Sequence, residues 1–198
     1  MSLKKIVVLT GAGVSAESGL STFRDAGGLW EGHDVYEVAS PQGWKKDPEV
    51  VLRFYNERRR QLEHVQPNAA HFAIAKLQEK YDVSVITQNV DNLHERAGSK
   101  NILHLHGELT KAKSTLPPYN VYDIGYADIN PGDICEKGGQ LRPNIVWFGE
   151  PVPLITDAAI VAQTADIFIV VGTSLVVYPA ASLIDYVKRD ALKYIIDP

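Results

Sequence analysis

The chain has 198 residues, of which 45% are hydrophobic and 22% charged, and its formal net charge is −4. This is the composition of an ordinary globular domain with one substantial core, and nothing in the charge suggests nucleic acid as the main partner. The apolar run before Gly11 is too short for a signal peptide or a membrane span. We therefore expect a cytoplasmic monomer that binds no nucleic acid and no membrane.

Six short apolar runs predict buried β-strands, because they are rich in Val and Ile and mostly do not alternate with polar residues. The predicted strands are residues 6–10, 83–87, 102–106, 145–148, 167–171 and 194–196. Helical patterns lie between several of them, at 48–65, 69–79, 156–163 and 180–189, with Phe72, Ala73 and Leu77 on one face of the second helix. Alternating strands and helices favour an α/β fold with a doubly wound parallel sheet.

Two stretches interrupt this alternation, residues 31–67 and residues 108–143. The first is helical, and the second contains several Pro and Gly pairs without clear periodicity. A structureless loop of that length is uncommon inside a compact sheet domain. We therefore expect both stretches to form a smaller helical and loop lobe inserted in a large domain of residues 1–30, 68–107 and 144–198. A cleft between two lobes is a usual place for a ligand.

The first strand runs directly into a glycine-rich turn, GAGVSA at 11–16, which fits G-x-G-x-x-[G/A]. Glycines let a backbone approach a pyrophosphate, and the start of the following helix would offer free N–H groups. The motif favours a dinucleotide cofactor, although the same spacing occurs in ordinary strand–helix turns. A dehydrogenase would place an acidic residue about 20 positions later, after a second strand. That strand is missing here, which disfavours hydride transfer.

Five sequence blocks resemble the sirtuin family in family order. They are residues 11–30, TQNVDNLHERAG at 87–98, LHLHGEL at 103–109, LRPNIVWFGE at 141–150 and VGTSLVVYPAA at 171–181. The resemblance implies an NAD-dependent protein-lysine deacylase that transfers the acyl group to ADP-ribose and releases nicotinamide. It also implies a Rossmann-like large domain with a small domain, and acyl-lysine proteins or peptides as partners.

The resemblance also implies the residues of an NAD site. His106 would be the catalytic base, since histidine titrates near neutral pH and can take a proton from a ribose hydroxyl. Asn89 and Asp91 would hold the nicotinamide ribose and carboxamide, and Asp91 could also cap a short helix. A loop at 22–25 would close over the nicotinamide and exclude water. The remaining cofactor contacts would be Gly11, Ala12, Gly13, Ser15, Ala16, Glu17, Thr22, Phe23, Arg24, Asp25, Trp30, Gln88, Gly172, Thr173 and Ser174.

Tyr55 and Arg58 lie three residues apart on the apolar stripe of the longest predicted helix, so their side chains are neighbours. Arg59 and Arg60 face elsewhere. From the pattern alone, Arg58 is either a snorkelling side chain or part of an internal salt bridge. The pair resembles the class III sirtuin pattern that binds a dicarboxylic acyl chain, and Ala39 resembles the small residue that enlarges the acyl pocket. Desuccinylase and demalonylase activity are therefore implied beside deacetylase activity.

Other substrate contacts are implied by the block at 141–150, which resembles the family strand that pairs with the acyl-lysine peptide. Backbone pairing of this kind gives affinity with little sequence selectivity. The residues concerned would be Val146, Phe148 and Gly149.

The sequence departs from most sirtuins in two places. Their small lobe carries a four-cysteine zinc site, whereas residues 108–143 contain only Cys135, the single cysteine of the chain, which also excludes an internal disulfide. We therefore predict no structural zinc. His104 and His106 could suggest a metal pair, but no other residue with ligand spacing accompanies them. The sequence also stops just after the last predicted strand, where family members usually continue with a segment that touches the adenine and ribose.

Two alternative functions stay open at this point. A mono-ADP-ribosyltransferase would cleave the same bond of NAD in the same site. A catalytically silent module would bind NAD or ADP-ribose without turning it over, but such a module has no need for a base at His106. Release of nicotinamide with and without an acyl peptide would separate these possibilities.

Overall fold

The structure is a computed structural model that describes residues 3–20, 29–30 and 32–197. Four of the predicted cofactor residues, Thr22, Phe23, Arg24 and Asp25, lie outside the described residues, as does the side chain of Trp30. In chain order the strands are β1 (Lys5–Thr10), β2 (Leu29–Trp30), β3 (His33–Asp34), β4 (Asp82–Thr87), β5 (Ile102–His104), β6 (Gly107–Ser114), β7 (Val121–Asp123), β8 (Leu141–Ile145), β9 (Ile167–Val171) and β10 (Leu192–Ile196).

The helices are short except for one. They are α1 (Gly13–Ala16), α2 (Val35–Val38), α3 (Pro41–Lys46), α4 (Pro48–His64), α5 (Ala69–Lys76), α6 (Leu93–Arg96) and α7 (Ile155–Gln163), with 3-10 turns at Leu77–Glu79 and Ala180–Tyr186. The long helix α4 begins with a proline, and the side chain of Asp47 caps it by accepting a hydrogen bond from Val50 N at 3.0 Å. None of the helices in the described ranges is long and apolar enough to cross a membrane.

Five strands form a parallel sheet in the order β10-β9-β1-β4-β5, which confirms the predicted α/β class. The central strand β1 pairs with β4 on one side and with β9 on the other. Its successive side chains enter two different cores, Val7 and Leu9 on one face of the sheet and Ile6 and Val8 on the other. Both faces are therefore covered, which explains why the four residues from Ile6 to Leu9 are all apolar.

The segment 145–148, which the sequence predicts as a strand of this sheet, does not join it. Strand β8 ends at Ile145 and pairs antiparallel with β6, in a three-stranded sheet of order β7-β6-β8. Ile145 and Trp147 are buried against α4 rather than in the large sheet. A short apolar run predicts that a strand is buried, but it does not predict which sheet the strand joins. The small lobe therefore contains an antiparallel sheet in addition to the predicted helices and loops. The predicted domain boundaries stay a prediction.

Two expectations about helix faces are wrong. Phe72 is exposed, while His71 and Ile74 are the buried residues of α5. Arg59, expected to face away from the apolar stripe of α4, is completely buried. Its Nε donates to Leu109 O at 2.7 Å, and its Nη1 donates to Asn56 Oδ1 at 2.5 Å. Arg59 is buried because it satisfies backbone and amide oxygens inside the small lobe, which hydrophobic periodicity does not reveal.

Candidate active site

The strand order brings the predicted cofactor residues to one edge of the large sheet. Strands β9, β1, β4 and β5 are adjacent and parallel, so their carboxyl ends open at the same edge, where ligands of such sheets usually bind. The loops after these strands carry Gly11, Ala12, Gly13, Ser15, Ala16, Glu17, Gln88, Asn89, Asp91, Gly172, Thr173 and Ser174. Gln88 Nε2 donates to Thr173 Oγ1 at 3.1 Å and thereby links the ends of β4 and β9.

The glycine-rich turn packs directly against the loop after β9. Gly13 N donates to Gly172 O at 2.9 Å, and a Cβ added at Gly13 would lie 2.8 Å from that same oxygen. Gly172 has φ of +60°, and a Cβ there would overlap Val14 N. These glycines are therefore required by the mutual approach of two loops, a reason that the sequence motif does not express.

The N–H groups at the start of α1 differ from the sequence-based expectation. Gly13 N donates to Gly172 O, Val14 N donates to Gly11 O at 3.0 Å, and Ser15 N donates to Ala12 O at 3.1 Å. These three donors are therefore engaged inside the protein rather than free for a phosphate. The helix is also a single turn, Gly13–Ala16, so it offers only a small dipole.

Three predicted cofactor residues form one buried polar cluster. Asn89 Nδ2 donates to Ser15 Oγ at 3.0 Å, and Ser15 Oγ donates to Asp91 Oδ2 at 2.9 Å. The other carboxylate oxygen of Asp91 accepts from Leu93 N at 3.1 Å, the first N–H of α6. Asp91 therefore binds the start of this helix from one residue before its N-cap, which is Asn92. Burial raises the pKa of Asp91, although hydrogen bonds from Leu93 and Ser15 partly oppose the rise.

Two histidines that the sequence analysis did not single out lie behind this cluster. His71 Nδ1 accepts a hydrogen bond from Asn68 N at 3.3 Å, so its proton is on Nε2, which lies 3.4 Å from Ser15 Oγ. His94 Nε2 lies 3.1 Å from Thr10 Oγ1, and the two imidazole rings are 4.9 Å apart. Burial lowers the pKa of both, to about 4 for His94. Both rings are therefore neutral near pH 7.

Two further histidines hold consecutive carbonyls of the loop after β4. His104 Nδ1 lies 3.2 Å from Asn89 O, and His106 Nδ1 lies 3.0 Å from Gln88 O. His104 Nε2 also contacts Glu95 Oε1 at 2.6 Å. Burial alone would lower the pKa of His104, but the hydrogen bond and the charge of Glu95 raise it overall. Because both ring nitrogens of His104 face oxygen atoms, His104 anchors the loop that carries Asn89.

The environment of His106 suits a base. Its Nδ1–H donates to a backbone carbonyl, which leaves Nε2 as the basic nitrogen. Burial lowers its pKa, an effect that the Gln88 carbonyl only partly opposes, so the ring is neutral at physiological pH. His106 lies two residues beyond β5 and directly before Gly107, where φ is +84° and a Cβ would overlap Asn144 O. His106 therefore lies where the chain passes from the large sheet to the small one.

The predicted acyl-site residues also lie together. Tyr55 is fully buried on α4, and its hydroxyl accepts a hydrogen bond from Trp147 Nε1 at 3.0 Å. Phe148 N donates to Ala39 O at 2.9 Å, and Ala39 itself is buried. Val146 N donates to His106 O at 2.9 Å. Because these two N–H groups are engaged, a peptide would pair with 146–149 through the other backbone groups of this segment.

Arg58 is the unusual member of this group. Its guanidinium carbon lies 4.6 Å from the centroid of the Phe54 ring, and its Nη2 lies 3.7 Å from Glu57 Oε2. Its Nε and Nη1 are buried without a hydrogen-bond partner among the described residues. A buried guanidinium nitrogen that lacks an acceptor is costly. The arrangement can therefore accept an anion.

The buried partners of these residues were not identified from the sequence. Arg142, Trp147 and Glu150 lie in a block that the sequence analysis assigns only to peptide pairing. They nevertheless form a cluster beside Tyr55, in which Arg142 and Trp147 are buried. The only feature of the sequence that could have indicated a buried Arg142 is its position three residues before a run of apolar residues. His71 and His94 gave no signal, because a single histidine in a helical pattern is usually part of the structure.

A parallel sheet with glycine-lined strand ends, a smaller inserted lobe and a histidine at their junction define a Rossmann-like enzyme that binds a dinucleotide at the edge of its sheet. Residues 11–179 match the model of the Sir2 family, and the chain belongs to that family.

Similar proteins agree with this assignment over nearly the whole chain. The NAD-dependent protein deacylase of Helicobacter pylori is 59% identical over 196 residues, which cover 99% of this chain and 83% of the relative. The protein of the same name from Bacteroides thetaiotaomicron is 56% identical over 201 residues, covering 99% and 86%. A mutant Sir2 homologue in complex with ADP-ribose superposes with a TM-score of 0.89 at 45% identity, over 98% of this chain and 80% of that one. A Sir2 homologue in complex with NAD gives 0.87 at 46%, over 98% and 77%.

Proposed function

We propose that this chain is an NAD-dependent protein-lysine deacylase that removes succinyl and malonyl groups as well as acetyl groups. The deacylase activity is that of its family and of its similar relatives. The wider acyl range rests on one observation, the buried Nε and Nη1 of Arg58, which lack acceptors among the described residues. A carboxylate at the end of an acyl chain would supply those acceptors and a compensating charge.

The residues at the sheet edge fit NAD. Gly11, Gly13 and Gly172 let the loops after β1 and β9 pack closely against each other, and this packing shapes the edge at which the family binds its dinucleotide. Asn89 and Asp91 offer an amide and a carboxylate at the end of β4, in positions set by Ser15. NAD, when bound, would supply the ADP-ribose that accepts the acyl group and would release nicotinamide.

His106 would accept the proton that a ribose hydroxyl loses in the reaction. Its Nε2 is the basic nitrogen, because Nδ1–H is held by Gln88 O. This hydrogen bond orients the ring, so Nε2 keeps one direction beyond the end of β5. Val146 N binds the carbonyl of the same residue, which places the proposed peptide segment beside the base.

Tyr55 and Arg58 would select the acyl group. They are neighbours on α4, one turn apart. Burial raises the pKa of the Tyr55 hydroxyl, so it stays protonated and neutral toward an anionic acyl chain. Ala39 has a methyl group as its whole side chain in the same buried cluster, which leaves room for a longer acyl chain.

The test is mass-spectrometric deacylation of acetyl- and succinyl-lysine peptides of one sequence, with and without NAD. We expect NAD-dependent loss of both acyl groups, abolished by His106→Tyr. The double substitution Tyr55→Phe with Arg58→Met should lower turnover of the succinyl peptide selectively. An equal loss on both peptides would show that the pair does not recognise the carboxylate. Nicotinamide release with no loss of acyl groups would favour the ADP-ribosyltransferase alternative, and NAD binding without either would favour a silent module.

We also propose that the small lobe holds no structural zinc. The donors do not fit such a site, because Cys135 is the only cysteine and its Sγ accepts a hydrogen bond from Ser114 Oγ at 3.2 Å. Among the described residues there is no group of three or more His, Cys, Asp or Glu that could hold a metal. Elemental analysis of the purified chain should find zinc well below one equivalent, and stoichiometric zinc would refute this proposal.

A monomeric state and the lack of nucleic-acid and membrane binding are likewise proposals, supported by the net charge of −4. Light scattering coupled to size exclusion would show the mass of a single chain. A mass of two chains would refute the monomer.

A further inference from the structure

A buried ion pair lies directly behind the residue that holds the Tyr55 hydroxyl. Arg142 on β8 donates from Nη1 to Glu150 Oε1 at 2.8 Å and from Nη2 to Glu150 Oε2 at 3.1 Å, a bidentate pair. Nη2 also donates to Ile145 O at 2.9 Å. The side chains of both residues are mostly buried, with 10% and 21% exposed. Planar guanidinium groups in such settings have one well-defined orientation.

This pair holds Trp147 at two points. The guanidinium carbon of Arg142 lies 3.3 Å from the centroid of the Trp147 ring, a stacked cation–π contact. Glu150 Oε2 also accepts a hydrogen bond from Trp147 N at 2.9 Å. Trp147 is 2% exposed, so its ring has no room to turn. The indole N–H is therefore aimed by the ion pair, and its acceptor is Tyr55 OH at 3.0 Å.

The hydrogen bond from Trp147 has a direct effect on the phenol group. When the Tyr55 oxygen accepts from the indole, its own hydrogen must point away from the indole. The orientation of the hydroxyl donor is then set by the ion pair through two contacts. Burial raises the pKa of Tyr55, while the charge of Arg142 lowers it and that of Glu150 raises it, so both charges act on this hydroxyl.

We propose that Arg142, Glu150 and Trp147 are positioning residues for acyl-chain selectivity, which act by orienting the Tyr55 hydroxyl. The inference rests on the proposed role of Tyr55 and Arg58 as the carboxylate-binding pair. It adds that residues of two elements, α4 and the segment that follows β8, together determine selectivity for a dicarboxylic acyl chain. The hydrogen bond from the Trp147 indole to Tyr55 connects these two elements.

The decisive variant is Trp147→Phe, which removes the indole N–H and keeps an aromatic ring beneath Arg142. We compare kcat and KM for succinyl- and acetyl-lysine peptides of one sequence. We expect the ratio of kcat/KM, succinyl over acetyl, to fall on the order of tenfold, the value of one hydrogen bond to an oriented donor. The fall should come mostly from KM of the succinyl peptide, because the carboxylate is bound before the chemical step.

The same substitution in a Tyr55→Phe chain separates positioning from a general structural effect. With no hydroxyl left to orient, Trp147→Phe should cause no further change in the ratio. Glu150→Gln is a second variant, which loosens Arg142 without altering the indole, and should lower the ratio by a smaller factor. Arg60→Ala is the matched control, because it breaks an exposed pair with Asp128 at 2.9 Å on the same helix as Tyr55. It should leave the ratio unchanged.

The outcomes are distinct. If the wild-type chain removes succinyl groups and Trp147→Phe leaves the ratio unchanged, this inference is overturned while the proposed function stands. An equal fall of the ratio in the Tyr55→Phe chain would also overturn it, because the effect would not pass through the hydroxyl. If the wild-type chain does not remove succinyl groups, or if Arg58→Met leaves the ratio unchanged, the proposed function fails and this inference fails with it.

Discussion

Gly172 shows how much a single residue constrains the sheet edge. Its φ of +60° and the overlap that a Cβ would make with Val14 N are two separate reasons for glycine. The sequence motif correctly marked the loop and its residues. The motif could not indicate that the loop after β1 packs against the loop after β9, because this contact joins residues about 160 positions apart in the chain.

Gly172→Ala should destabilise the chain by about 3 kcal/mol, of which about 1 kcal/mol comes from the left-handed backbone and the rest from the shift of Val14. Gly125→Ala is the matched control, because Gly125 has φ of +56° and no atom within 4 Å of the added Cβ. It should lose only the backbone part. Urea unfolding at pH 7.5 measures both, and equal losses would show that the two loops are not tightly packed.

The pKa of His106 sets the pH dependence of the proposed reaction. A base acts when neutral, and burial lowers its pKa below the ordinary 6.5. The acid limb of kcat/KM for the acetyl peptide should therefore have its midpoint below pH 6.5. His106→Tyr should reduce the rate on the order of 100-fold or more, with circular dichroism to confirm its fold. A midpoint at or above 6.5 would mean that another group limits the rate.

Helix α4 is the long helix of the small lobe, and its two buried faces make different contacts. Tyr55 meets Trp147 on one side, while Asn56 and Arg59 bind the backbone of the lobe. The helix and its start were predictable from the proline, the capping aspartate and the apolar spacing. The burial of Arg59 was not, because its partners are carbonyl oxygens of Leu109 and Ala127, which have no signature in the sequence.

Arg59→Met should destabilise the chain by about 3 kcal/mol, because it leaves buried carbonyl oxygens without donors. Arg60→Ala, one residue further along the same helix, removes an exposed ion pair and should change stability by less than about 1 kcal/mol. Thermal and urea unfolding compare the two. A loss for Arg59→Met that is no larger than for Arg60→Ala would contradict the role of Arg59 in holding the lobe.

Over the whole molecule, the sequence predicted the elements better than it predicted their assembly. Five of the six predicted strands form the large sheet. The prediction that all of them are buried is wrong for β10, an edge strand that is exposed along its whole length. The sixth, 145–148, could not be assigned to a sheet, since burial against α4 and burial in the large sheet leave the same apolar pattern. The site residues could be grouped by strand ends, but the hydrogen bonds among Ser15, Asn89 and Asp91 required the fold.

The buried histidines predict the response of the whole fold to acid. His94 has a folded-state pKa of about 4 against 6.5 when unfolded, so the unfolded chain binds more protons between these values. Its contribution is complete above pH 6.5 and falls by about 3 kcal/mol as the pH drops to 4. Urea unfolding of His94→Gln should show a shallower loss over this range than wild type. Parallel slopes for His94→Gln and wild type would contradict the assignment.

The two ends of the chain segment that forms the small sheet meet. Gly107 and Ile145 are paired residues of β6 and β8, so the two ends of this segment lie side by side. An insertion with joined ends behaves as a module, whose far tip can change in length or in chemistry while its base stays in place. Here the tip carries Cys135 and Ser114, whereas the base carries His106 and Val146. Evolution could therefore remodel the tip, including any metal site there, without moving the residues proposed for catalysis.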